Sequence, residues 1–189
     1  MGKDWFEREH AEVERLSGVL EPRARTLFTF LRHEGGFTQR PSTRRESILW
    51  TQLIYRSAEL GVEIEIDYTL RLIAVWLIRL EQGKYPVAAG PFSGPVNGVV
   101  IRPRLETVLR DQLNVADPIL DELERLRRDS EREQRDQAFL ERMLDLYQQL
   151  FQRHLAAILQ HPLAQLFPAG IVDRACIRIR CDASLSVGS

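Results

Sequence analysis

The chain of 189 residues is long enough for one domain with a substantial core, and its formal net charge at neutral pH is −1. Because the charges nearly balance, no overall field would attract nucleic acid or an anionic membrane, and such a contact would need a local basic patch. The basic residues are 24 arginines and 2 lysines. That preference reflects either a GC-rich genome or the two-pronged pairing of arginine with carboxylate and phosphate. The first residues, MGKDWFERE, carry no basic segment followed by an apolar one, which predicts a cytoplasmic protein.

Two amphipathic helices are predicted at the N-terminus, over residues 4–18 and 22–31, because each carries apolar residues at helical spacing. Gly18 would end the first helix, and Pro22 suits the first turn of the second. A Gly-Gly pair at 35–36 would end the second helix. We expect the two helices to pack against each other as a hairpin.

Two longer apolar segments, residues 44–60 and 67–82, are predicted to be buried helices at the centre of the fold. The first follows a capping box formed by Thr43 and Glu46. The second, DYTLRLIAVWLIRLEQ, is an apolar run of helical length whose polar residues gather in one narrow strip, and it is too short to span a bilayer. Between them, VEIEID alternates apolar and acidic residues, which indicates a short extended segment with its acidic side chains on one face.

The second half of the chain is predicted to begin with an irregular Pro/Gly-rich loop, residues 84–100, and such loops often serve as binding elements. Asp117-Pro118 predicts a helix start, with Asp117 as the N-cap and the proline in the first turn. Residues 118–160 then carry a 4-3 apolar spacing typical of a coiled-coil seam. They form either one helix of about 42 residues, which the lack of Gly and Pro slightly favours, or two helices that restart at a Ser130/Glu133 capping box. The tail from Ile171, with CIRIRC at its centre, alternates like a strand and could pair with residues 99–102.

These elements predict a mainly α fold, a bundle of about six helices with a minor β element near the C-terminus. We expect a single domain over residues 1–189. Its parts would be a helical core (1–83), the Pro/Gly-rich loop (84–100), a helical region with the long helix (101–162) and a C-terminal extended segment (163–189).

No catalytic motif stands out in the sequence. It contains no Gly-rich phosphate loop with Lys and Ser/Thr, no GxSxG, no HExxH and no DxDxDG loop, so the chain leans away from being an enzyme. Cys176 and Cys181 have no histidines spaced for zinc, and we predict no metal site and no cofactor. Glu63, Glu65 and Asp67 could hold a divalent cation, although a charged face that resists aggregation is the commoner meaning of such a pattern.

A local basic patch is the most suggestive group of side chains. Three arginines flank a predicted helix start, where free N–H groups favour an anion, and an aromatic residue would offer a stacking surface. Two more arginines beside the Pro/Gly-rich loop form a weaker basic spot, and Arg178 and Arg180 form a third. The alternative is that these arginines pair with acidic surfaces of the protein itself. The residues predicted to contact a DNA or RNA backbone are Phe37, Arg40, Arg44, Arg45, Arg102 and Arg104.

A second candidate surface is the apolar seam of the 118–160 segment. We expect it to be covered either by another chain, which can be a second copy, or by the N-terminal hairpin. Its histidine is expected to be a hydrogen-bonded core or interface residue. The residues predicted for this interface are Leu144, Tyr147, Phe151, His154 and Ile158.

Three functions follow from these patterns, and the first is favoured. The chain is a non-catalytic helical subunit or adaptor of a larger protein assembly that uses the 118–160 helix as its contact surface. Alternatively it is a subunit of a nucleoprotein complex that binds the phosphate backbone without reading sequence. An enzyme of unknown type comes third.

Overall fold

The computed structural model describes residues 3–40, 50–84, 102–129 and 135–167. None of the helices in these ranges is long and apolar enough to cross a membrane. The elements are α1 (Lys3–Leu27), α2 (Phe30–His33), β1 (Thr38–Gln39), β2 (Trp50–Arg56), β3 (Leu60–Asp67), β4 (Leu72–Arg79), α3 (Leu105–Thr107, continued by a π-helical turn, Val108–Gln112), α4 (Pro118–Asp129), α5 (Gln137–Gln160) and α6 (Leu163–Leu166).

The prediction of a mainly α helical bundle is wrong, because the middle of the chain forms a four-stranded antiparallel sheet in the order β1-β2-β3-β4. The protein therefore combines α-helices with a sheet. The described part of the predicted helix 44–60 forms β2 and the start of β3. The predicted central helix 67–82 is also wrong, because that segment contains β4. The extended segment predicted for VEIEID is confirmed as part of β3.

The two strands were mistaken for helices because both of their faces are buried. Ile73, Val75 and Leu77 of β4 are at most 1% exposed on one face, and Trp76 and Ile78 on the other face are 5% and 1% exposed. A strand that is apolar on both faces loses its alternation, and periodicity alone then cannot separate it from a buried helix. A tight turn, not a helix start, follows Asp67, whose carboxylate accepts the Leu70 N–H at 2.7 Å.

Helices cover one face of the sheet. Alternate residues of β3, among them Val62, Ile64 and Ile66, are fully buried in one core cluster with apolar residues of α1 and α5. α1 packs against α5 and against β2, and α5 packs against β4. The chain thus has two layers, a sheet and a helical layer, with the main core between them.

The N-terminal segment forms one helix, so the predicted hairpin of two helices is wrong. Its apolar residues Val13, Leu16, Leu20 and Ala24 keep helical spacing and are at most 2% exposed. A glycine and a proline inside a helix cost about 1 and 3 kcal/mol. Burial of this continuous apolar face outweighs those costs.

The 118–160 segment forms two antiparallel helices, α4 and α5, so the slight preference for one long helix is wrong. The side chain of Asp136 accepts the Phe139 N–H at 2.8 Å and caps α5, which places the restart later than the predicted Ser130/Glu133 box. Residues 130–134 lie outside the described ranges. So do most of the predicted 84–100 loop and the predicted C-terminal strand.

Other segments of the chain cover part of the outer edge of β4. The Leu77 N–H donates to the Pro103 carbonyl at 3.0 Å, and the Arg127 guanidinium donates to the Ile73 carbonyl at 3.2 Å. Trp76 forms an isolated bridge with Arg104. These contacts make this part of the edge less open to pairing with another sheet.

Candidate anion-binding pocket

A cavity of about 540 Å³ opens where the C-terminal end of α1, the short α2 and β1 meet. Among the described residues, its lining contains three arginines and a histidine and no carboxylate, and Glu34, the nearest described acidic residue in sequence, is an exposed neighbour of the histidine. The lining residues are Arg25, Arg32, His33, Phe37, Thr38, Gln39 and Arg40.

A glycine turn brings the two helical arginines to the start of the sheet. Gly36 has a φ of +66°, a conformation that favours glycine. A Cβ atom on Gly35 would lie 2.7 Å from a ring carbon of Phe37, so only glycine fits there. The turn folds back on α2, where the Phe37 N–H donates to the Leu31 carbonyl at 3.1 Å.

Pairing with β2 fixes the other side of the pocket. Thr38 and Gln39 lie opposite Arg56 and Tyr55, and the Arg40 N–H donates to the Ile54 carbonyl at 2.9 Å. The backbone at Arg40 is therefore held, while its side chain is exposed at the rim.

Two buried polar groups beside the pocket have no hydrogen-bond partner among the described residues. They are the hydroxyl of Tyr55, a fully buried residue, and the Nε2 amide of Gln39. The two residues are directly opposite in the β1–β2 register, so their side chains share one face of the sheet. Buried donors without partners are rare in native proteins, and each calls for an explanation.

The Tyr55 hydroxyl remains protonated at physiological pH. Burial raises the pKa of Tyr55 to about 12, and the nearby positive charges of Arg25 and Arg32 offset only part of this effect. The hydroxyl is therefore available as a hydrogen-bond donor. The positive charges of Arg25 and Arg32 near it would favour an acceptor that carries negative charge.

The three arginines differ in how strongly they are held. Arg25 pairs with Glu21 at 2.7 Å, and the second carboxylate oxygen of Glu21 lies 3.4 Å from the hydroxyl of Thr51. Arg32 and Arg40 are exposed, and within the described residues neither forms an ion pair. Arg25 is thus a fixed, partly neutralised charge, and the other two supply the accessible positive charge.

The structure places two residues of the predicted nucleic-acid contact in this pocket, Phe37 and Arg40. Phe37 is only 3% exposed, so its ring supports the pocket wall and does not offer the stacking face that we expected. Arg44 and Arg45 lie outside the described residues, as does the helix start predicted at Thr43.

Arg25 and Arg32 were missed by sequence reasoning because their importance depends on how β1 returns to the helices. They are seven residues apart, two helical turns, and this spacing is the one signal that could have linked them. A helical spacing alone does not show which residues of another element would complete the site.

Arg102, predicted as part of a weaker basic spot, is engaged inside the protein. It pairs with Glu63 at 2.7 Å and Glu65 at 2.9 Å, and its guanidinium carbon lies 4.3 Å from the centroid of the Trp76 ring. Burial raises the pKa of Glu63, and Arg102 offsets that only in part. Arg102 therefore fits the alternative in which arginines pair with acidic residues of the protein itself. Its guanidinium group is the positive partner of Glu63 and Glu65.

Arg104 lies against the same aromatic ring, with its guanidinium carbon 5.2 Å from the Trp76 centroid. Its Nε is buried and without a hydrogen-bond partner in the described part of the chain. Its backbone forms an isolated bridge with Trp76 at the edge of β4. Neither Arg102 nor Arg104 lines the basic pocket.

The apolar seam of α5 lies inside the chain. Leu144, Tyr147 and Phe151 are fully buried and Ile158 is 1% exposed, and the rings of Phe151 and Phe30 are 6.2 Å apart. The N-terminal segment thus covers this seam, the second of the two coverings considered from sequence. Tyr147 is further held by hydrogen bonds with the side chains of Glu106 and Arg127.

His154, the polar residue on that seam, is tied to the start of α4. Its Nε2 lies 3.0 Å from Oδ2 of Asp117, whose Oδ1 accepts the Ile119 N–H at 2.9 Å and caps the helix as predicted. Burial by itself would raise the pKa of Asp117, but the Ile119 N–H, His154 and Arg153 together hold that pKa below its ordinary value. These contacts make His154 a structural partner of a helix cap.

In comparisons with protein-family models, curated proteins and solved structures, no match was found. Within the described residues, no three of the His, Cys, Asp and Glu side chains come together as metal ligands. The function is therefore argued from the geometry of the chain itself.

Proposed function

We propose that this protein is a non-catalytic, cytoplasmic binding subunit that holds backbone phosphates of a nucleic acid in the basic pocket. One observation carries the proposal: Arg25, Arg32, His33 and Arg40 surround one cavity of about 540 Å³, and none of the carboxylates in the described part of the chain lines it. Guanidinium groups bind phosphate oxygens with strong, charge-assisted hydrogen bonds.

The same geometry favours binding without sequence readout. The lining offers hydrogen-bond donors and positive charge, and the phenyl ring of Phe37 is buried, so this ring gives bases no surface on which to stack. Contacts of this kind fix the position of a strand but do not distinguish its bases. Within residues 3–40, 50–84, 102–129 and 135–167, no carboxylate lines the pocket to orient His33 as a general base, which supports binding over catalysis.

A contact with a protein partner would need a surface other than the apolar seam. The large apolar side chains exposed among the described residues are Val19, Leu70 and Leu159, at 39%, 41% and 43% exposure, and each belongs to a different element or turn. Scattered single residues of this kind are normal on a protein surface. The adaptor hypothesis thus has less support than the phosphate pocket.

The proposal is tested by fluorescence anisotropy with labelled single- and double-stranded oligonucleotides over a series of salt concentrations. The test variant is Arg32→Ala with Arg40→Ala, which removes both accessible pocket charges. The matched control is Arg125→Ala with Arg142→Ala, which removes two exposed arginines from α4 and α5. Both double variants change the net charge by the same amount.

We expect wild-type binding that weakens steeply with salt, and a slope of log affinity against log salt that falls by roughly 1.4–1.8 units in the pocket variant. The control variant should keep the wild-type slope because its arginines lie outside the pocket. Equal slopes for both double variants would show that binding is not located in the pocket. No binding of any oligonucleotide by the wild type at about 50 mM salt would rule out the proposed function.

A further inference from the structure

We propose that His33 makes phosphate binding by the pocket depend on pH, so that the affinity rises as the pH falls through the range in which histidine gains a proton. This inference rests on the proposed function and names a regulation of the same site. Its evidence is the place of His33 in the lining of the cavity, together with Arg25, Arg32 and Arg40.

His33 is open both to solvent and to a ligand in the cavity. It is the last residue of α2, it is exposed, and it lines the pocket itself. A neutral imidazole has one donor and one acceptor nitrogen, whereas the imidazolium has two donors and a positive charge. Protonation of His33 therefore adds a second donor and a positive charge to a lining that already holds Arg32 and Arg40.

The surroundings of His33 are mostly positive. Glu34 lies next to it in sequence but outside the lining, and Tyr55 stays protonated, because burial raises its pKa to about 12. The charged and titratable groups of the elements that meet here are Arg25 in α1, Arg32 in α2, Glu34 after α2, Arg40 after β1, and Tyr55 and Arg56 opposite β1 in β2.

His33 differs in this respect from two other histidines of the described chain. His10 pairs with Glu14 at 3.7 Å, and His154 pairs with Asp117 at 3.0 Å. Among the described residues, His33 forms no such pair with a carboxylate. A phosphate in the cavity would therefore be the anion that stabilises the imidazolium of His33.

Linkage between the proton and the phosphate gives the sign of the effect. A phosphate that is attracted to the imidazolium binds the protonated protein more tightly, and in return the bound phosphate holds the proton more tightly by the same free energy. The added affinity is therefore fully present at low pH and is lost as the pH rises through the range in which the complex releases its proton. An internal phosphodiester keeps one negative charge throughout that range, so the ligand does not contribute to the change.

The test measures binding of an oligothymidylate without terminal phosphate, labelled with a pH-insensitive dye, by fluorescence anisotropy between about pH 8 and about pH 5.5. Thymine does not titrate in this interval, so the pH acts on the protein. Full-length wild type is compared with His33→Gln, which cannot gain a charge, and with His33→Arg, which always carries one. The matched control is His161→Gln, because His161 caps the C-terminal end of α5 and lies outside the lining.

We expect the wild-type affinity to rise about two- to fivefold over this interval, the effect of one exposed ion pair. The slope of log affinity against log salt should steepen by about 0.7–0.9 units, because one more charge meets the phosphates. His33→Gln should keep the affinity that the wild type has at the higher pH. His33→Arg should bind at the higher pH as tightly as the wild type does at the lower, and His161→Gln should keep the wild-type dependence.

A second measurement reports the proton directly. The chain has four histidines, so their imidazole signals can be followed by NMR, and the signal missing from His33→Gln identifies His33. Saturating oligothymidylate should move the titration of that signal to higher pH. The signals of the other three histidines should titrate as in the free protein.

Three results would overturn the inference. A wild-type affinity that does not change with pH would reject it and leave the proposed function standing, whereas no binding at any pH would reject the proposed function as well. A dependence on pH that survives in His33→Gln would place the titrating group elsewhere. If His33→Arg bound no more tightly than the wild type at the higher pH, a charge at this position would not reach the phosphate.

Discussion

Leu77 lies in the middle of β4, fully buried on the helix-covered face of the sheet. Leu77→Ala should lower the free energy of unfolding by about 2–5 kcal/mol, because it removes buried contacts and leaves a cavity. Urea denaturation measures this loss. Leu70→Ala, at a site 41% exposed in the turn before β4, serves as control and should change stability by less than about 0.5 kcal/mol. If both substitutions lowered the free energy of unfolding by the same amount, the claim that β4 lies in the core would be wrong.

Asp117 makes stability depend on acid pH. Its pKa is lower in the folded protein than the ordinary value of 3.8, so its stabilising effect is fully present above that value and is lost as pH falls through the folded pKa. Asp117→Ala should cost about 0.5–2 kcal/mol at pH 7 through loss of the helix cap. The difference between wild type and variant in urea denaturation should shrink at pH values below 3.8. A difference that stays constant down to pH 2.5 would contradict the assignment.

At the scale of elements, Arg102 joins the outer face of β3 to the segment that precedes α3. Arg102→Met should destabilise the fold by about 3–5 kcal/mol, because it leaves Glu63 buried without its charge partner. Thermal unfolding of Arg102→Met, Glu63→Met and the double variant gives the coupling between them. We expect the double variant to recover part of the loss, since replacing both members of a buried ion pair by apolar residues of similar volume is often tolerated. Additive effects of the two substitutions would contradict the pairing.

The sequence carried enough information for some elements and not for others. The cap at Asp117 and the alternation of Glu63 and Glu65 are local signals, and both appear in the structure as expected. β2 and β4 were misassigned because they are buried on both faces, so their period of two is hidden by packing against elements far away in sequence. Pro22 was assigned to a helix start by local preference, which the long buried face of α1 overrides.

The candidate site was only partly predictable for the same reason. Phe37 and Arg40 are three residues apart, and the arginine-rich composition of their segment indicated a basic patch from the sequence alone. Arg25 and Arg32 join them only because the Gly35-Gly36 turn returns the chain to β2. The buried state of the Tyr55 hydroxyl follows from the sheet as a whole and has no local signal.

At the scale of the whole molecule, the charge distribution agrees with a local site and not with a general field. The net charge is −1. Many of the described arginines form ion pairs within the chain, as Arg23 does with Asp145 at 2.8 Å. Arg32 and Arg40 concentrate accessible positive charge at one end of the sheet. A nucleic acid should therefore meet the protein in one orientation, with its phosphate at this end.

The most direct test of this account is to map the contact by NMR, with ¹⁵N-labelled protein titrated with a short oligonucleotide at low salt. We predict that the largest changes in amide chemical shift fall within residues 32–40 and at Tyr55, because these line or adjoin the pocket. Changes centred instead on Arg178 and Arg180, or on Arg102 and Arg104, would contradict the claim that the pocket is the binding site. An unchanged spectrum at saturating oligonucleotide would contradict phosphate binding altogether.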